Sequence, residues 1–559
     1  MANDFLHVGR PRFVDSQLAE LASREGVKAA WMKIFSGGKS DLANNVHGDF
    51  AVGIRLPNGD VFLAIDRFAV RSLCYRIVDG GLCFAERADE LTDEHSIIDP
   101  QAIFDYFYSH CIPSPRTIFK GIYRLPPGCV AHFSAGALTV LPYWTPIFVE
   151  SRNISLKAWR DEFRHLLHQA VSRQLDESKA ACFLSGGTDS STVAGIIGEV
   201  TGKPAATYSI GFEAEGYDEM EFARFAARRF GTEHHEYYVT PEDLVRAIPS
   251  VARYYDQPFG NSSALPAYYC AKMAHEDGVR RILGGDGGDE LFGGNTRYAK
   301  QKVFGWYAHI PKPLRTGILE PLLGNQRVGR LSGISKAVSY VEQAKVPMPD
   351  RLQMYNLIMR LRMDAVFSDE FLAQVDTGLP LVQQREVWQF AKPPCSEVNR
   401  QLAFDWRYTL AESDLPKIVG TTSLAGLSVG FPLLDDDLLA FSQRLPSSLK
   451  LNGLQLRWFF KEALKGILPD EIIAKKKQGF GLPFGVWVTT NSNLRELSES
   501  SLRSLVDREI LRGEFVDALF RSYLGEHPGY YGEMIWISMM FAQWMYGLDE
   551  RRATKIDLV

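Results

Sequence analysis

The stretch FLSGGTDSS, residues 183–191, is the clearest indication of the fold of this chain of 559 residues. The apolar run AACFL, residues 180–184, leads into a turn with two glycines, and the helical pattern STVAGIIGEV follows at once. A strand that turns into a helix in this way directs backbone N–H groups and the helix dipole toward one point, where an anion can bind. Ser185 and Ser190 add hydroxyl donors. The stretch therefore predicts a phosphate-binding turn at the end of a strand.

Asp189, inside this turn, indicates which phosphate compound binds. A carboxylate beside a phosphate requires a cation between them, and Mg²⁺ is held by one or two carboxylates together with phosphate oxygens. The turn lacks both the GxxxxGK[ST] pattern and the GxGxxG pattern, so it is neither a Walker A loop nor a dinucleotide fingerprint. A simple glycine turn capped by serines is the alternative. The order of the following segments favours a magnesium nucleotide.

Strand and helix patterns alternate beyond this turn. The β-type run AATYSIGF, residues 205–212, precedes an amphipathic segment at 217–230, and the runs HHEYYV at 234–239 and RRILGG at 280–285 continue the alternation. Strands separated by helices of this length predict a doubly wound parallel sheet. From about residue 298 onward the pattern is mostly helical.

A second glycine-rich stretch, ILGGDGGDELFGG at residues 282–294, follows another of these strands. In an open parallel sheet ligands bind at the carboxyl ends of the strands, so we expect both stretches to face one cleft. The second stretch would add the acids Asp286, Asp289 and Glu290. One of them can share the cation with Asp189, and another can act as a general base or orient an amine. A plain acidic loop is the alternative.

The third stretch is AKKKQGFGLPF, residues 474–484, in which three lysines run into a glycine and proline loop. Lysine runs are usually solvated faces. A lysine directed into the cleft would instead neutralise the charge that develops on a phosphate during transfer.

Residues 1–150 have a different pattern. Short β-type runs such as GDFAVGIRL, VFLAIDRF and LCYRIV are separated by the turns PNGD and DGG, which predicts antiparallel hairpins. The proline-containing stretch at 141–155 is followed by a helical pattern that begins near Trp159. We therefore place the domain boundary there, with residues 1–150 and 151–559 as the two domains.

Composition excludes several classes of function. The 62 basic and 67 acidic residues give a formal net charge of −5, which provides no electrostatic attraction to nucleic acid or to an anionic membrane. No apolar run reaches the ~20 residues that cross a bilayer. The N-terminus resembles no signal peptide, so we expect a cytoplasmic protein. The seven cysteines are scattered and include no CxxC pair, which is typical of core residues.

In this order the three stretches resemble the synthetase half of the class B asparagine synthetases and, more broadly, the N-type ATP pyrophosphatases with their SGGxDS loop. The resemblance runs from about residue 155 to residue 547, a little under three quarters of the chain. It also includes YSIGF, GTEHHE, DQPFGNSSALP, LLDDDLLAF and KKKQGFGLP. The implied fold is an N-type ATP-pyrophosphatase sheet with a helical C-terminal part, preceded by a degenerate Ntn-type α/β sandwich.

The resemblance also implies individual site residues. Adenine and ribose contacts fall on Leu184, Ile210, Gly284 and Gly285; the pyrophosphate loop on Ser185, Gly186, Gly187, Asp189 and Ser190; magnesium ligands on Asp189 and Asp289; and catalytic roles on Asp286 and Lys477. The implied substrate is ATP with Mg²⁺. A substrate carboxylate attacks the α-phosphate to give an acyl-adenylate and pyrophosphate, and an amine then displaces AMP to form an amide.

Two departures from the family bear on the substrates. Glutamine-using members carry a cysteine directly after the initiator Met, whereas this chain has Ala2, so we expect the N-terminal block to be a retained structural domain, as in β-lactam synthetases and lasso-peptide cyclases. The family's VDRxSMAxSLExRxPFLD reads IVGTTSLAGLSVGFPLLD here. The charged family residues are replaced at Val419, Gly420, Ser428 and Gly430, which predicts an acid that is larger or less charged than aspartate.

The sequence thus predicts an AMP-forming amide synthetase that couples a small-molecule or peptide acid to an amine without hydrolysing glutamine. Asparagine synthesis from free or partner-supplied ammonia is the nearest alternative. A pseudoenzyme that serves as a scaffold for a biosynthetic partner is an alternative from another class. The identities of the acid and the amine, a partner protein and homo-oligomerisation stay open.

Overall fold

We describe the fold from a computed structural model, which covers residues 4–36, 42–151, 153–323, 335–391, 393–475 and 481–556. Within these ranges, no helix combines the length and the apolar character needed to span a membrane.

The N-terminal residues form layers of antiparallel sheet, as the hairpin patterns predicted. The strands are β1 (Phe5–Gly9), β2 (Arg12–Phe13), β3 (Val46–His47), β4 (Phe50–Arg55), β5 (Val61–Ile65), β6 (Cys74–Val78), β7 (Gly81–Ala85), β8 (Tyr123–Arg124), β9 (Cys129–Ser134) and β10 (Ala137–Pro142). One sheet has the order β1-β4-β5-β9-β10, a second has the order β7-β6-β8, and β2 pairs with β3.

Apolar side chains fill both sides of the larger sheet. Trp31, on the helix Val27–Ser36, packs with Phe50 and Phe62 on one face. Leu63 of β5 packs with Phe84 of β7 on the other face, so that the two sheets enclose a core. Alternate side chains of a strand point to opposite faces, which explains why neighbouring residues of β5 enter different cores.

The parallel sheet follows the antiparallel part of the chain. Its strands are β11 (Ala181–Phe183), β12 (Ala206–Phe212), β13 (Glu233–Val239), β14 (Arg281–Leu283) and β15 (Ser428–Gly430), in the order β13-β12-β11-β14-β15. All neighbouring pairs are parallel. A short hairpin, β16 (Leu451–Asn452) with β17 (Gln455–Leu456), lies outside it. The predicted doubly wound architecture is confirmed.

Helices cover this sheet and form the C-terminal part. The antiparallel part of the chain, residues 1–150, contributes the α-helices Ser16–Glu25, Val27–Ser36, Leu42–Asn45 and Pro100–Ser109. The longer α-helices of the remaining chain are Leu156–Gln174, Thr188–Thr201, Met220–Phe230, Pro241–Tyr254, Ala264–Glu276, Thr296–Trp306, Ser335–Lys345, Leu379–Trp388, Glu397–Asp405, Leu415–Leu424, Asp436–Arg444, Trp458–Leu464, Phe484–Thr490, Ser492–Asp507, Gly513–Ala518 and Pro528–Ile556. Shorter α-helices are Gly288–Phe292, Lys312–Leu314, Glu320–Leu323, Leu357–Leu361, Met363–Val366, Asp369–Leu372, Ser447–Lys450, Asp470–Ala474 and Leu524–Glu526, and Trp406–Asp414 is a π-helix.

One hydrophobic core joins the antiparallel part of the chain to the C-terminal part. Phe104 and Phe107 of the helix Pro100–Ser109 pack with Phe541 of the helix Pro528–Ile556. Trp536 and Trp544 on that C-terminal helix are fully buried. Their indole N–H groups donate to the carbonyl oxygens of Gly260 and Tyr255, respectively, which keeps both rings hydrogen-bonded in the core.

Lys450 is a buried lysine beneath the segment that connects the antiparallel part of the chain to the rest. Its Nζ donates to Asn399 Oδ1 at 2.9 Å and lies 5.0 Å from the ring centroid of Phe148. Asn399 in turn donates to Glu150 Oε1 at 2.9 Å. Burial disfavours the charged ammonium and lowers the pKa of Lys450 to about 7, although Glu150 opposes the shift.

This lowered pKa predicts a pH-dependent contribution to stability. Between about pH 7 and pH 10 the unfolded lysine is protonated and the folded one is neutral, so the free energy of unfolding rises with pH across that window. The wild type should therefore gain roughly 2 kcal/mol relative to Lys450→Met between pH 7 and pH 9. Urea unfolding of both proteins at the two pH values measures the difference. A difference that does not change with pH would contradict the buried neutral lysine.

Candidate active site

A cavity of about 470 Å³ opens at the carboxyl edge of the parallel sheet. Its lining includes the ends of β11 and β12 and the turn that follows β14, which is where an open parallel sheet binds its ligands. The predicted residues in the lining are Leu184, Ser185, Gly187, Asp189, Ser190, Ile210, Gly285, Asp286 and Asp289. The two glycine-rich stretches thus face one cleft, as the topology argument expected.

The first stretch forms a tight turn at the start of the helix Thr188–Thr201. The amide of Ser185 donates to Ser190 Oγ at 3.1 Å, and the amide of Gly187 donates to Ser185 Oγ at 3.3 Å. Gly186 has a φ of +66° and packs against the backbone of Phe222, where a Cβ atom would overlap. The turn therefore points the first amides of a 14-residue helix into the cavity, and these amides suit an anion.

Glycines of the second stretch allow it to lie directly against the first. A Cβ atom on Gly285 would come within 2.8 Å of the Ser190 amide nitrogen, and one on Gly288 would overlap Asp189 Oδ1. Gly284 lies outside the cavity lining, where its amide donates to the carbonyl oxygen of Gly430 at 2.8 Å. The absence of side chains at these positions brings the two acidic segments together.

Asp189 and Asp289 meet at one guanidinium group. Arg457 Nη1 lies 2.7 Å from both carboxylate oxygens of Asp189 and 2.9 Å from Asp289 Oδ1. Two carboxylates that converge beside a phosphate turn form the donor set that Mg²⁺ uses with phosphate oxygens, so these residues fit the implied cation. The sequence reasoning missed Arg457, which lies 168 residues after Asp289 and belongs to none of the three stretches.

Acidic side chains dominate the cavity wall around Asp286. Burial raises the pKa of Asp286 to about 6, and burial together with Asp414 raises the pKa of Glu290 to about 8. Lys417 Nζ lies 3.1 Å from Asp414 Oδ1. Burial works against its charge, yet Asp414 and Asp286 raise its pKa above the ordinary value. We call these four residues the acidic wall.

The lysine-rich third stretch contributes Lys475 to the cavity lining. Its Nζ lies 3.2 Å from Glu219 Oε2 and 4.1 Å from the ring centroid of Phe222, with the side chain only 8% exposed. The predicted catalytic lysine, Lys477, lies outside the described residues. Lys475 is therefore a second lysine to consider for the cavity.

The N-terminal half holds the segment that carries Asp414. Glu412, in the same π-helix, accepts hydrogen bonds from the amide of Ser114 at 3.1 Å and from its hydroxyl at 2.7 Å. Arg124 and Arg407 also donate to this buried carboxylate. A second contact lies nearby, where the amide of Ala88 donates to an oxygen of Asp256 at 2.8 Å. These contacts from the N-terminal part of the chain therefore stabilise the segment that contributes to the acidic wall.

Four positions that the sequence analysis connected with the acid substrate lie outside the cavity lining. A Cβ atom on Gly420 would overlap the ring of Tyr255, and one on Gly430 would meet Gln174 Oε1 at 2.5 Å. Ser428 pairs with Arg281 at the amino end of β15, away from the cavity edge, and Val419 packs against the core. Their predicted effect on the choice of acid stays a prediction, and the groups that face the cavity here are those of the acidic wall.

Another cluster of potential metal ligands lies on a different part of the sheet. Ligand atoms of Glu233, His235 and Asp277 come within 4.8 Å of one another. Lys179 Nζ already binds this cluster, at 3.1 Å from Glu233 Oε2 and 2.6 Å from Asp277 Oδ2. The lysine ammonium therefore supplies positive charge to this cluster.

Two family models match the chain. The model described as asparagine synthase matches residues 162–546, which include the whole cavity lining. The model described as glutamine amidotransferase domain matches residues 28–144, in the antiparallel part.

Curated relatives share about a quarter of their residues with this chain. Glutamine-hydrolyzing asparagine synthetase 1 of Bacillus subtilis is 25% identical over 462 residues, which are 81% of this chain and 71% of that protein. Glutamine-hydrolyzing asparagine synthetase 3 of the same organism is 24% identical over 550 residues, which are 92% of this chain and 82% of that protein. Amidase chry2 of Gibberella zeae is 26% identical over 281 residues, which are 45% of this chain and 40% of that protein.

The close approach of Gly288 to Asp189 predicts the effect of one methyl group. Gly288→Ala should displace the Asp189 carboxylate and weaken ATP binding in the presence of Mg²⁺ by roughly tenfold, a loss of about 1.4 kcal/mol. Gly198→Ala is the matched control, because it lies on the helix that begins at Thr188 and its Cβ atom would have no neighbour closer than 3.8 Å. Calorimetric titration of ATP into both variants measures the effect. Equal affinities would show that the approach does not position Asp189.

Proposed function

Because the chain belongs to the asparagine synthase family, whose members are ATP-dependent carbon–nitrogen ligases, we propose that it is an AMP-forming amide synthetase that does not hydrolyse glutamine. The observation that supports this proposal is that two different groups of residues line the cavity. The phosphate turn and the pair Asp189 and Asp289 lie beside an acidic wall that contains Asp286. The former suits a magnesium nucleotide, and the latter suits an amine.

In the proposed reaction a carboxylate oxygen of the acid attacks the α-phosphorus of ATP. The bond from that phosphorus to the bridging oxygen breaks, and pyrophosphate leaves with the electron pair. The amine nitrogen then attacks the acyl carbon, loses a proton, and displaces AMP. Asp189 and Asp289 would hold Mg²⁺, which would supply positive charge to the phosphates. The amides of the turn and its serine hydroxyls would hold the leaving pyrophosphate.

The charges of the acidic wall favour an amine and disfavour a dicarboxylic acid. Near neutral pH the carboxylates of Asp286 and Asp414 outnumber the ammonium of Lys417, whereas Glu290, with a pKa of about 8, is mostly protonated. A protonated amine entering beside them gains Coulombic attraction, and a nearby carboxylate can accept its proton before attack. A second free carboxylate on the acid substrate would be repelled. The proposal is therefore an acid less charged than aspartate, such as a peptide or a small monocarboxylic acid.

The cysteines support independence from glutamine. A cysteine that hydrolyses glutamine must be accessible and must have a lowered pKa. Burial instead raises the thiol pKa above the ordinary value for six of the seven cysteines, namely Cys74, Cys111, Cys129, Cys182, Cys270 and Cys395. We propose that residues 1–150 form a structural domain that positions the acidic wall in residues 151–559.

Asparagine synthesis is the second candidate, because the two Bacillus subtilis relatives are named glutamine-hydrolyzing asparagine synthetases. One assay separates the candidates. AMP and pyrophosphate release from ATP and Mg²⁺ is measured over a panel of carboxylic acids, each with ammonium, an amine or glutamine. The amide synthetase predicts AMP formation that depends on a particular acid and does not respond to glutamine. Asparagine made from aspartate and either ammonium or glutamine would contradict the proposal.

Asp189→Asn tests the proposed cation site. This variant keeps the size of the side chain and removes its charge, so we expect pyrophosphate release to fall by roughly a hundredfold, as for the loss of a charge-assisted contact of about 3 kcal/mol. Asp437→Asn is a suitable control, because Asp437 also binds an arginine through a carboxylate oxygen and lies outside the cavity lining. Unchanged pyrophosphate release by Asp189→Asn at saturating Mg²⁺ would exclude Asp189 as a ligand.

A further inference from the structure

We propose that Arg457 is a catalytic residue of the adenylation step, which holds the two metal-binding carboxylates in the nucleotide-free protein and then transfers its guanidinium to the departing pyrophosphate. This role rests on the proposed function. Arg457 directly precedes the helix Trp458–Leu464 and is remote in sequence from the two glycine-rich stretches.

The backbone of Arg457 is arranged for one side-chain direction. Its φ of +53° lies in the left-handed region, which is uncommon and unfavourable for residues other than glycine. Its amide donates to the carbonyl oxygen of Gly293 at 3.1 Å, which fastens it to the loop that carries Asp289. The residue is only 7% exposed and lines the cavity. A strained conformation held in this way is typical of a functional position.

The contacts of Arg457 place it where a divalent cation would bind. Nη1 lies within 2.9 Å of oxygens from both Asp189 and Asp289. A cation held by these two carboxylates would lie beside the Arg457 guanidinium, and the two positive charges would repel each other, so cation binding favours movement of Nη1 away from the carboxylates. The guanidinium and the cation therefore compete for one site in the absence of nucleotide.

The displaced guanidinium has a second set of acceptors close by. Asp189 belongs to the phosphate turn, so a side chain that leaves its carboxylate remains beside the turn that would hold pyrophosphate. A guanidinium is a planar fork of donors that matches phosphate oxygens, and its charge persists at all relevant pH values. When the bond between the α-phosphorus and the bridging oxygen breaks, negative charge grows on pyrophosphate, and Arg457 would stabilise that charge.

The chain provides a matched arginine outside the cavity. Arg173 Nη1 lies 3.0 Å from Asp435 Oδ1 and 2.6 Å from Asp437 Oδ2, so it also joins two aspartates through one nitrogen. Neither Arg173 nor its two partners lines the cavity. A change that removes Arg173 therefore reproduces the loss of an arginine between two carboxylates without touching the nucleotide site.

The test measures two affinities without any acid substrate. Mn²⁺ binding to the nucleotide-free full-length protein is followed by electron paramagnetic resonance, and pyrophosphate binding at saturating Mn²⁺ is followed by calorimetry. We expect Arg457→Met and Arg457→Gln to bind Mn²⁺ roughly tenfold more tightly, because a competitor is gone, and pyrophosphate roughly tenfold more weakly. Arg173→Met should match the wild type in both affinities.

Opposite changes in the two affinities distinguish this role from a structural one. Mn²⁺ affinity that stays equal or falls in Arg457→Met, or pyrophosphate affinity that does not fall, would overturn the proposal. If the neutral variants do not fold, Arg457→Lys takes their place. It retains the positive charge but not the planar fork of donors, so it should keep the Mn²⁺ affinity of the wild type and bind pyrophosphate more weakly. If no acid supports AMP formation, the proposed function fails, while the two affinities still decide the role of Arg457.

Discussion

The site depends on the meeting of two carboxylates, Asp189 and Asp289, at one guanidinium nitrogen. Each carboxylate follows the end of a different strand, and the parallel sheet brings those strand ends to the same edge. The approach requires glycine at position 288, where a side chain would overlap Asp189, and it requires a cation to offset two negative charges in a largely buried place. Arg457 supplies that charge from a third part of the chain.

The antiparallel part of the chain stabilises a segment of the site. Its residues Ser114 and Arg124, together with Arg407 of the π-helix itself, surround the buried Glu412, and a buried carboxylate that lost these partners would destabilise the protein by about 3 to 5 kcal/mol. The π-helix that contains Glu412 also contains Asp414, so the same interaction fixes part of the acidic wall. This connection explains why such a half would be retained after losing glutamine hydrolysis, as we propose.

Local patterns predicted the elements that depend on local forces. The alternation of short apolar runs with helical spacing predicted the parallel sheet, and the glycine-rich turns marked the strand ends that form the cavity. Arg457 could not be found in this way, because its role depends on a left-handed backbone and on contacts far away in sequence. The surroundings of Gly420 and Gly430 could not be predicted either, because motif similarity does not say which way a position faces. A Cβ atom at Gly420 would meet Tyr255, and one at Gly430 would meet Gln174.

The proposed attack of a carboxylate on the α-phosphorus can be followed by isotope transfer. The acid that supports AMP formation is labelled with ¹⁸O in its carboxyl group and turned over with ATP, Mg²⁺ and an amine, and the AMP is examined by mass spectrometry. An acyl-adenylate requires one carboxyl oxygen to leave with AMP, so we expect one ¹⁸O atom per AMP formed. AMP without the label, or ADP as the product, would contradict it.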